Sequence, residues 1–151
     1  MHTFAKRKQE NRKISMVTCY DFWSAKIINK SDLDCILVGD SLAVVMHGYD
    51  STVHATLSMM EMHVAAVVRG APDKFVIADL PFLSCSKGID RALDAVQALI
   101  QAGASAVKIE GSSHHIGPRH LHRLQTYFSA MHPQHRHRPL HELYHPRPMV
   151  Q

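Results

Sequence analysis

Hydrophobic and polar positions in residues 1–111 alternate between short apolar runs and longer stretches with helical spacing. The apolar runs predict four strands, at residues 14–18, 35–39, 75–78 and 105–111. Helical periodicity predicts helices at 22–29, 57–67 and 89–100, and Thr56 is a candidate N-cap for the second. A loop is predicted at residues 43–55. Four β/α units in succession indicate a parallel α/β sheet, either a barrel or an open doubly wound sheet.

Three carboxylates stand where predicted strands end: Asp40, Asp79 and Glu110. In parallel α/β folds the carboxyl ends of the strands form the binding face, so these side chains are expected to converge. Three acids at one point repel each other unless a cation lies between them. A ligand set of oxygen atoms alone favours Mg²⁺ or a similar hard ion over zinc.

The alternation of side chains along the fourth predicted strand places a lysine beside one of these acids. Lys108 lies two residues before Glu110 and shares its face, where it could hold an anionic substrate. By the same alternation, two further sets each share a face: Ile36, Val38 and Asp40, and Phe75, Ile77 and Asp79. The alternative is that the acids cap loops or helix starts and that Lys108 only pairs with Glu110. Ser41, next to Asp40, is either a ligand contact or a loop hydroxyl.

Charge and composition divide the chain after Gly111. Residues 1–111 hold 12 Lys and Arg and 12 Asp and Glu, so the net charge of +4 belongs to residues 112–151. That segment has five Arg, no Lys and one acid, Glu142, together with nine of the 13 His and five of the seven Pro. It is therefore expected to be a separate, irregular tail. Three interpretations stay open: transition-metal binding by its His pairs, a basic arm for nucleic acid, or an out-of-frame reading, which the abrupt change favours.

Several classes of protein are excluded. No apolar run approaches the ~18 residues of a membrane span, and the basic start lacks the apolar stretch of a secretory signal. The three cysteines are odd in number and have no CxxC spacing. This pattern predicts unpaired thiols in a reducing compartment, hence a cytoplasmic protein. Because residues 1–111 are electrically neutral, they give no support for a nucleic-acid partner.

Five motifs together resemble the ketopantoate hydroxymethyltransferase family, also named 3-methyl-2-oxobutanoate hydroxymethyltransferase. They occur in the order and spacing of that family and cover about residues 10–111, with an early Thr18-Cys-Tyr-Asp21 that is also similar. The five are Val38-Gly-Asp-Ser-Leu42, His47-Gly-Tyr-Asp-Ser-Thr52, Arg69-Gly-Ala-Pro72, Ala78-Asp-Leu-Pro-Phe82 and Ala102-Gly-Ala-Ser-Ala-Val-Lys-Ile-Glu-Gly111.

The resemblance implies a (β/α)₈ barrel of the phosphoenolpyruvate/pyruvate-binding type, of which this chain would hold about four units. It implies hydroxymethyl transfer from 5,10-methylenetetrahydrofolate to 3-methyl-2-oxobutanoate, giving 2-dehydropantoate for pantothenate and coenzyme A. Asp40 and Asp79 would then be Mg²⁺ ligands, with Glu110 completing the metal environment directly or through water. Ser41 and Lys108 would contact the carboxylate of the keto acid, and a homo-oligomer is expected.

The matching region does not include the family's general base, a Glu in the second half of the barrel. The surroundings of Glu142 do not resemble that motif, so no catalytic residue is assigned. The expectation is a truncated, impaired enzyme whose open sheet edges require a partner or a second copy. The alternative is a non-catalytic half-barrel that binds metal or nucleic acid through its tail. A third candidate is another Mg²⁺/2-oxo-acid enzyme of this barrel type, against which residues 47–52 argue.

Overall fold

The computed structural model describes residues 2–109, and it contains the predicted parallel sheet. The strands are β1 (Met16–Thr18), β2 (Cys35–Val38), β3 (Phe75–Asp79) and β4 (Ala106–Lys108). They lie in the order β1-β2-β3-β4, and all three neighbouring pairs are parallel. Glu110 and the tail predicted for residues 112–151 lie outside the described residues.

Helices follow or precede every strand. They are α1 (His2–Gln9), α2 (Phe22–Ile28), α3 (Leu42–Val45), α4 (Leu57–Gly70) and α5 (Ile89–Gln101), with 3₁₀ turns at Thr52–His54 and Ser84–Lys87. Thr56 caps α4 as predicted, since its Oγ1 accepts a hydrogen bond from the Met59 amide at 3.2 Å. The prediction of an uninterrupted loop at residues 43–55 was wrong. Leu42 and Ala43 are fully buried, and their burial stabilises the single turn of α3.

The two faces of the sheet differ in what covers them. The register pairs Ile36 with Val76 and Val38 with Ala78, and all four side chains are buried in the core that α4 and α5 complete. The intervening residues, Leu37 and Ile77, pair with each other and are only partly buried. In a parallel sheet wrapped by helices, this second face is the one that lines a barrel interior.

Helix α1 covers one end of that second face, although the sequence pattern did not predict a helix there. The ring of Phe4 packs edge-on against Phe75 with centroids 5.0 Å apart. Arg7 fastens the helix to Asp34, with Nη2 2.6 Å from Oδ1 and Nη1 2.7 Å from Oδ2. Asp34 also accepts from the Ser15 amide at 2.8 Å. Ser15 and then Arg7 hold the pKa of Asp34 below its ordinary value.

Close packing of α2 against α4 depends on Gly70. A Cβ atom at this position would lie 2.5 Å from the carbonyl oxygen of Phe22 and 2.8 Å from the Cβ of Ala25. The carbonyl belongs to the backbone and cannot rotate away. The glycine hydrogen therefore sets the distance between these two helices. No helix among the described residues has the length and hydrophobicity to cross a membrane.

Replacing Gly70 with alanine tests this packing, because two effects of opposite sign compete. Helix propensity alone would stabilise the chain by up to about 1 kcal/mol, whereas overpacking typically costs about 1–3 kcal/mol. We expect the clash to dominate, so Gly70→Ala should lower the free energy of unfolding measured in urea. Ser58→Ala, at an exposed position in the first turn of the same helix, is the control and should change stability little. A more stable Gly70→Ala protein would contradict the packing described here.

Candidate active site at the carboxyl edge of the sheet

The centre of the candidate site is an ion pair between neighbouring strands. Asp79 is the last residue of β3, and the register places it directly opposite Lys108 of β4. Nζ of Lys108 lies 3.0 Å from Oδ1 of Asp79, and the lysine side chain is 41% exposed against 6% for the aspartate. Lys108 therefore has an ionic partner on the neighbouring strand, whereas the alternative interpretation of the sequence paired it with Glu110 on its own strand. Glu110 lies beyond the described residues.

Asp79 is a buried carboxylate with an unsatisfied oxygen. Its Oδ1 is fully buried, and its partner within residues 2–109 is the ammonium group of Lys108, in an ionic contact and not a well-formed hydrogen bond. Burial raises the pKa of Asp79 above its ordinary value, and the charge of Asp40 adds to this effect. Lys108 and the Asp40 amide act in the opposite direction. A buried oxygen of this kind is a suitable ligand for a cation.

Asp40 reaches Asp79 by a turn and not by strand alternation. Strand β2 ends at Val38, whose side chain faces the helices. The sequence pattern placed Ile36, Val38 and Asp40 on one face of the sheet. That face is not the one on which Asp79 lies. After Gly39 the backbone turns into α3, and the Asp40 carbonyl accepts from the Ala43 amide at 3.1 Å. The Asp40 amide donates to Asp79. The structure thus brings the two aspartates together.

Gly39 makes this close approach sterically possible. A Cβ atom there would lie 2.8 Å from Oγ of Ser41 and 3.4 Å from Oδ2 of Asp79. The first distance is shorter than non-bonded atoms tolerate. A side chain at residue 39 would therefore displace the Ser41 hydroxyl from its position beside the two aspartates.

Ser41 is held by a residue to which the sequence assigned no role. The hydroxyls of Tyr20 and Ser41 are 2.8 Å apart and share a hydrogen bond. Tyr20 follows β1, so residues after the first and second strands meet here. Its carbonyl oxygen accepts a hydrogen bond from Nδ1 of His63 on α4. The Thr18-Cys-Tyr-Asp21 motif was the available signal for Tyr20, whereas nothing in the pattern indicated His63.

This arrangement favours ionic over nucleophilic chemistry. Two carboxylates, a lysine and a hydroxyl meet at one edge of the sheet, and they suit a hard cation together with an anion. Residues 2–109 contain no group of three or more His, Cys, Asp or Glu side chains placed to hold a metal. The pair Asp40 and Asp79 is what this part of the chain brings together.

All three cysteines are unpaired, and burial raises the pKa of each thiol, so none of them is suited to act as an activated thiolate nucleophile. They are Cys19, Cys35 and Cys85.

Solved structures of similar fold are (β/α)-barrel enzymes of the phosphoenolpyruvate mutase and isocitrate lyase superfamily. A phosphonopyruvate hydrolase, solved in complex with oxalate and Mg²⁺, matches with a TM-score of 0.62 at 12% identity, over 84% of this chain and 46% of its own. A 2,3-dimethylmalate lyase matches with a TM-score of 0.53 at 23% identity, over 71% and 38% of the two chains. The fold is accordingly part of a (β/α) barrel, as predicted.

Sequence relatives are considerably closer. A 3-methyl-2-oxobutanoate hydroxymethyltransferase of Coxiella burnetii is 55% identical over 112 residues, which are 74% of this chain and 42% of the relative. That of Bdellovibrio bacteriovorus is 56% identical over 110 residues, or 73% and 42% of the two proteins. The chain thus spans about two fifths of the length of the curated relatives it matches.

The family model of ketopantoate hydroxymethyltransferase matches residues 1–125. This match begins before the first motif noted in the sequence and extends 14 residues beyond Gly111. It covers most of the chain, including every residue of the site described above. The chain belongs to the ketopantoate hydroxymethyltransferase family.

Proposed function

We propose that this chain carries the metal- and keto-acid-binding part of a 3-methyl-2-oxobutanoate hydroxymethyltransferase. The reaction would transfer a hydroxymethyl group from 5,10-methylenetetrahydrofolate to 3-methyl-2-oxobutanoate, giving 2-dehydropantoate for pantothenate biosynthesis. The observation that carries the proposal is the buried, unsatisfied oxygen of Asp79, next to Asp40 and Lys108, in a chain of this family.

The proposed metal ligands are Asp40 and Asp79, with Glu110 completing the environment directly or through water. The donor set fits Mg²⁺, since it offers carboxylate oxygens and one of them is buried without a hydrogen bond. When bound, Mg²⁺ would act as a Lewis acid on the 2-oxo group and make the neighbouring carbon more acidic. Asp79 also anchors Lys108, which offsets part of the negative charge at this edge before the metal binds.

Lys108 and Ser41 would bind the carboxylate of the keto acid. The side chain of Lys108 is partly exposed, so it can turn from Asp79 towards an incoming anion. Ser41 would donate its hydroxyl proton to the same carboxylate while Tyr20 fixes the direction of that hydroxyl. Both residues orient the substrate, and neither takes up a proton from carbon in this proposal.

The comparisons support the class of substrate. The relatives are named for the 3-methyl-2-oxobutanoate reaction, which also implies the folate co-substrate. A protein of the same fold was solved with oxalate and Mg²⁺, a small dicarboxylate with that ion. We assign the proton-abstracting base to no residue of this chain. A cytoplasmic location, where the three thiols would remain reduced, and assembly as a homo-oligomer belong to the proposal as well.

Loss of either carboxylate should weaken metal-dependent keto-acid binding. We expect 3-methyl-2-oxobutanoate to bind the 151-residue chain in the presence of Mg²⁺ and not in EDTA, as measured by calorimetry. Asp79→Asn and Asp40→Asn should each weaken this binding at least about tenfold, because a charged ligand of the metal is removed. Asp50→Asn removes an exposed carboxylate from a loop and is the matched control. Equal binding by all four proteins would refute the metal assignment.

Lys108→Met should separate substrate binding from metal binding. The variant loses the cation that would meet the keto-acid carboxylate, so we expect about tenfold weaker binding of 3-methyl-2-oxobutanoate. Affinity for Mg²⁺ alone should be unchanged or higher, because the metal no longer competes with the ammonium group for Asp79. Lys26→Met, on the exposed side of α2, is the control. Unaltered keto-acid affinity in Lys108→Met would remove Lys108 from the binding site.

In the absence of metal, the charged form of Asp79 should lower the free energy of unfolding. Its pKa is raised on folding, so the folded chain binds a proton more readily than the unfolded chain. Wild-type stability should therefore fall as the pH rises from the ordinary range of an aspartate through the raised value. In EDTA at pH 7 we expect Asp79→Asn to be about 1 kcal/mol more stable than wild type in urea unfolding.

Acid pH and a second aspartate provide the controls for that experiment. The advantage of Asp79→Asn should disappear in acid, where Asp79 is protonated in both states. Asp34→Asn should act in the opposite direction at pH 7, since Ser15 and Arg7 lower the pKa of Asp34 and its charge is stabilising. Destabilisation by Asp79→Asn at neutral pH in EDTA would contradict the view of Asp79 as an imperfectly compensated carboxylate.

A further inference from the structure

Two histidines outside the carboxylate site meet through their ring nitrogens. His47, in the loop after α3, and His63, on α4, have their Nε2 atoms 2.9 Å apart. Their rings are almost perpendicular, at 86°, with centroids 5.2 Å apart. His47 is exposed and His63 partly buried, so the pair is open to solvent on one side.

The protonation pattern of His63 is fixed by its second nitrogen. Nδ1 faces the carbonyl oxygen of Tyr20, which can only accept, so Nδ1 carries the proton. In the neutral ring the lone pair is then on Nε2, directed at His47. A ring N–H bonded to a backbone carbonyl is the arrangement that orients histidine ligands in metal sites.

We propose that His47 and His63 form a chelating site for a divalent transition metal of the Ni²⁺ or Cu²⁺ type, bound through both Nε2 atoms. Adjacent ligands of an octahedral or square-planar ion with bonds of about 2.1 Å lie about 3.0 Å apart, against about 3.4 Å in a tetrahedron. The two nitrogens already lie 2.9 Å apart as a hydrogen-bonded pair, so only a small movement would bring them to either spacing, and imidazole is a good ligand for Ni²⁺ and Cu²⁺. Water would complete the coordination on the exposed side.

Nearby charge is favourable to a cation at this pair. Asp21 lies close enough to His63 for their charges to interact, although hydrogen bonds from Ser24 are the larger cause of the lowered pKa of Asp21. The other described histidine of this loop, His54, is separate from the pair. It stacks on Tyr49 and lies 3.4 Å from a carboxylate oxygen of Asp50.

Binding requires the relocation of one proton and a rotation of the exposed His47 ring, so that both Nε2 lone pairs face one ion. In the neutral pair, Nε2–H of His47 donates to Nε2 of His63. When the ion binds, His47, an exposed residue, carries its proton on Nδ1, and both Nε2 lone pairs are available. No net proton is released from two neutral rings. The site is distinct in chemistry from the carboxylate pair, which offers hard oxygen ligands and suits Mg²⁺.

The test is the number of Ni²⁺ ions bound per chain at saturation, measured by equilibrium dialysis of the 151-residue protein. Excess Mg²⁺ competes for the carboxylates, and any Ni²⁺ still bound there is common to all the variants. The chain has 13 histidines, nine of them in residues 112–151, so only differences between variants are informative. We expect His47→Gln and His63→Gln each to bind one ion fewer than wild type, and His54→Gln to bind the same number.

Every other pattern overturns the proposal. Equal stoichiometry in all four proteins places no ion at the pair. A loss in His63→Gln alone excludes His47 as a ligand, and a loss in His54→Gln as well indicates unspecific surface binding. Because His63 also holds the Tyr20 carbonyl, circular dichroism melts must show that His63→Gln is folded. His47→Gln changes an exposed ring and remains the decisive variant. Ni²⁺ should also broaden the ring NMR signals of His47 and His63 before that of His54.

Discussion

The parallel pairing of β3 with β4 fixes Asp79 opposite Lys108, and the candidate site depends on that register. A slip of one residue would turn every side chain of a strand to the other face. Here Val76 and Ala78 are locked into the core beneath α4 and α5, so a slipped β3 would bury Asp79 among apolar side chains. The hydrophobic face of the sheet thus determines the position of its charged edge.

The same register has an energetic consequence. Asp79 is held at a position that is 4% exposed, where one oxygen has no hydrogen bond within the described chain and burial raises the pKa. A second carboxylate, that of the residue directly before β2, is compensated more completely. Asp34 has two donors from Ser15 and a bidentate arginine. The contrast between well-compensated Asp34 and poorly compensated Asp79 is typical of a structural and a functional acid, respectively.

The sequence predicted the elements of this fold better than the contacts of its site. All four strands, the helices α2, α4 and α5, and the Thr56 cap could be predicted because they depend on local periodicity and capping. Helix α1 was missed because it is polar and is fixed by distant partners, Phe75 and Asp34. Residues 43–45 were assigned to a loop because a single helical turn has too few residues to show a period.

Contacts between elements were harder to predict for a related reason. Asp40 was expected at the site from its place at a strand end, yet it reaches Asp79 through the turn at Gly39, which alternation along β2 does not describe. Lys108 pairs with Asp79 on the neighbouring strand, and the register between two strands cannot be predicted from the sequence of either strand alone. The His47–His63 contact joins a loop to a helix 16 residues away, where no periodic pattern relates the two.

Tyr20 connects the two groups of polar residues on this edge of the molecule. Its hydroxyl meets Ser41 and its carbonyl meets His63, so one residue after β1 is held at both its side chain and its backbone. A tyrosine fixed in this way loses little further conformational freedom when Ser41 engages a ligand, which favours a preorganised hydroxyl at the site. His63 would then act on Ser41 only through the position of Tyr20. An ion held by His47 and His63 would stiffen that connection without contacting either aspartate.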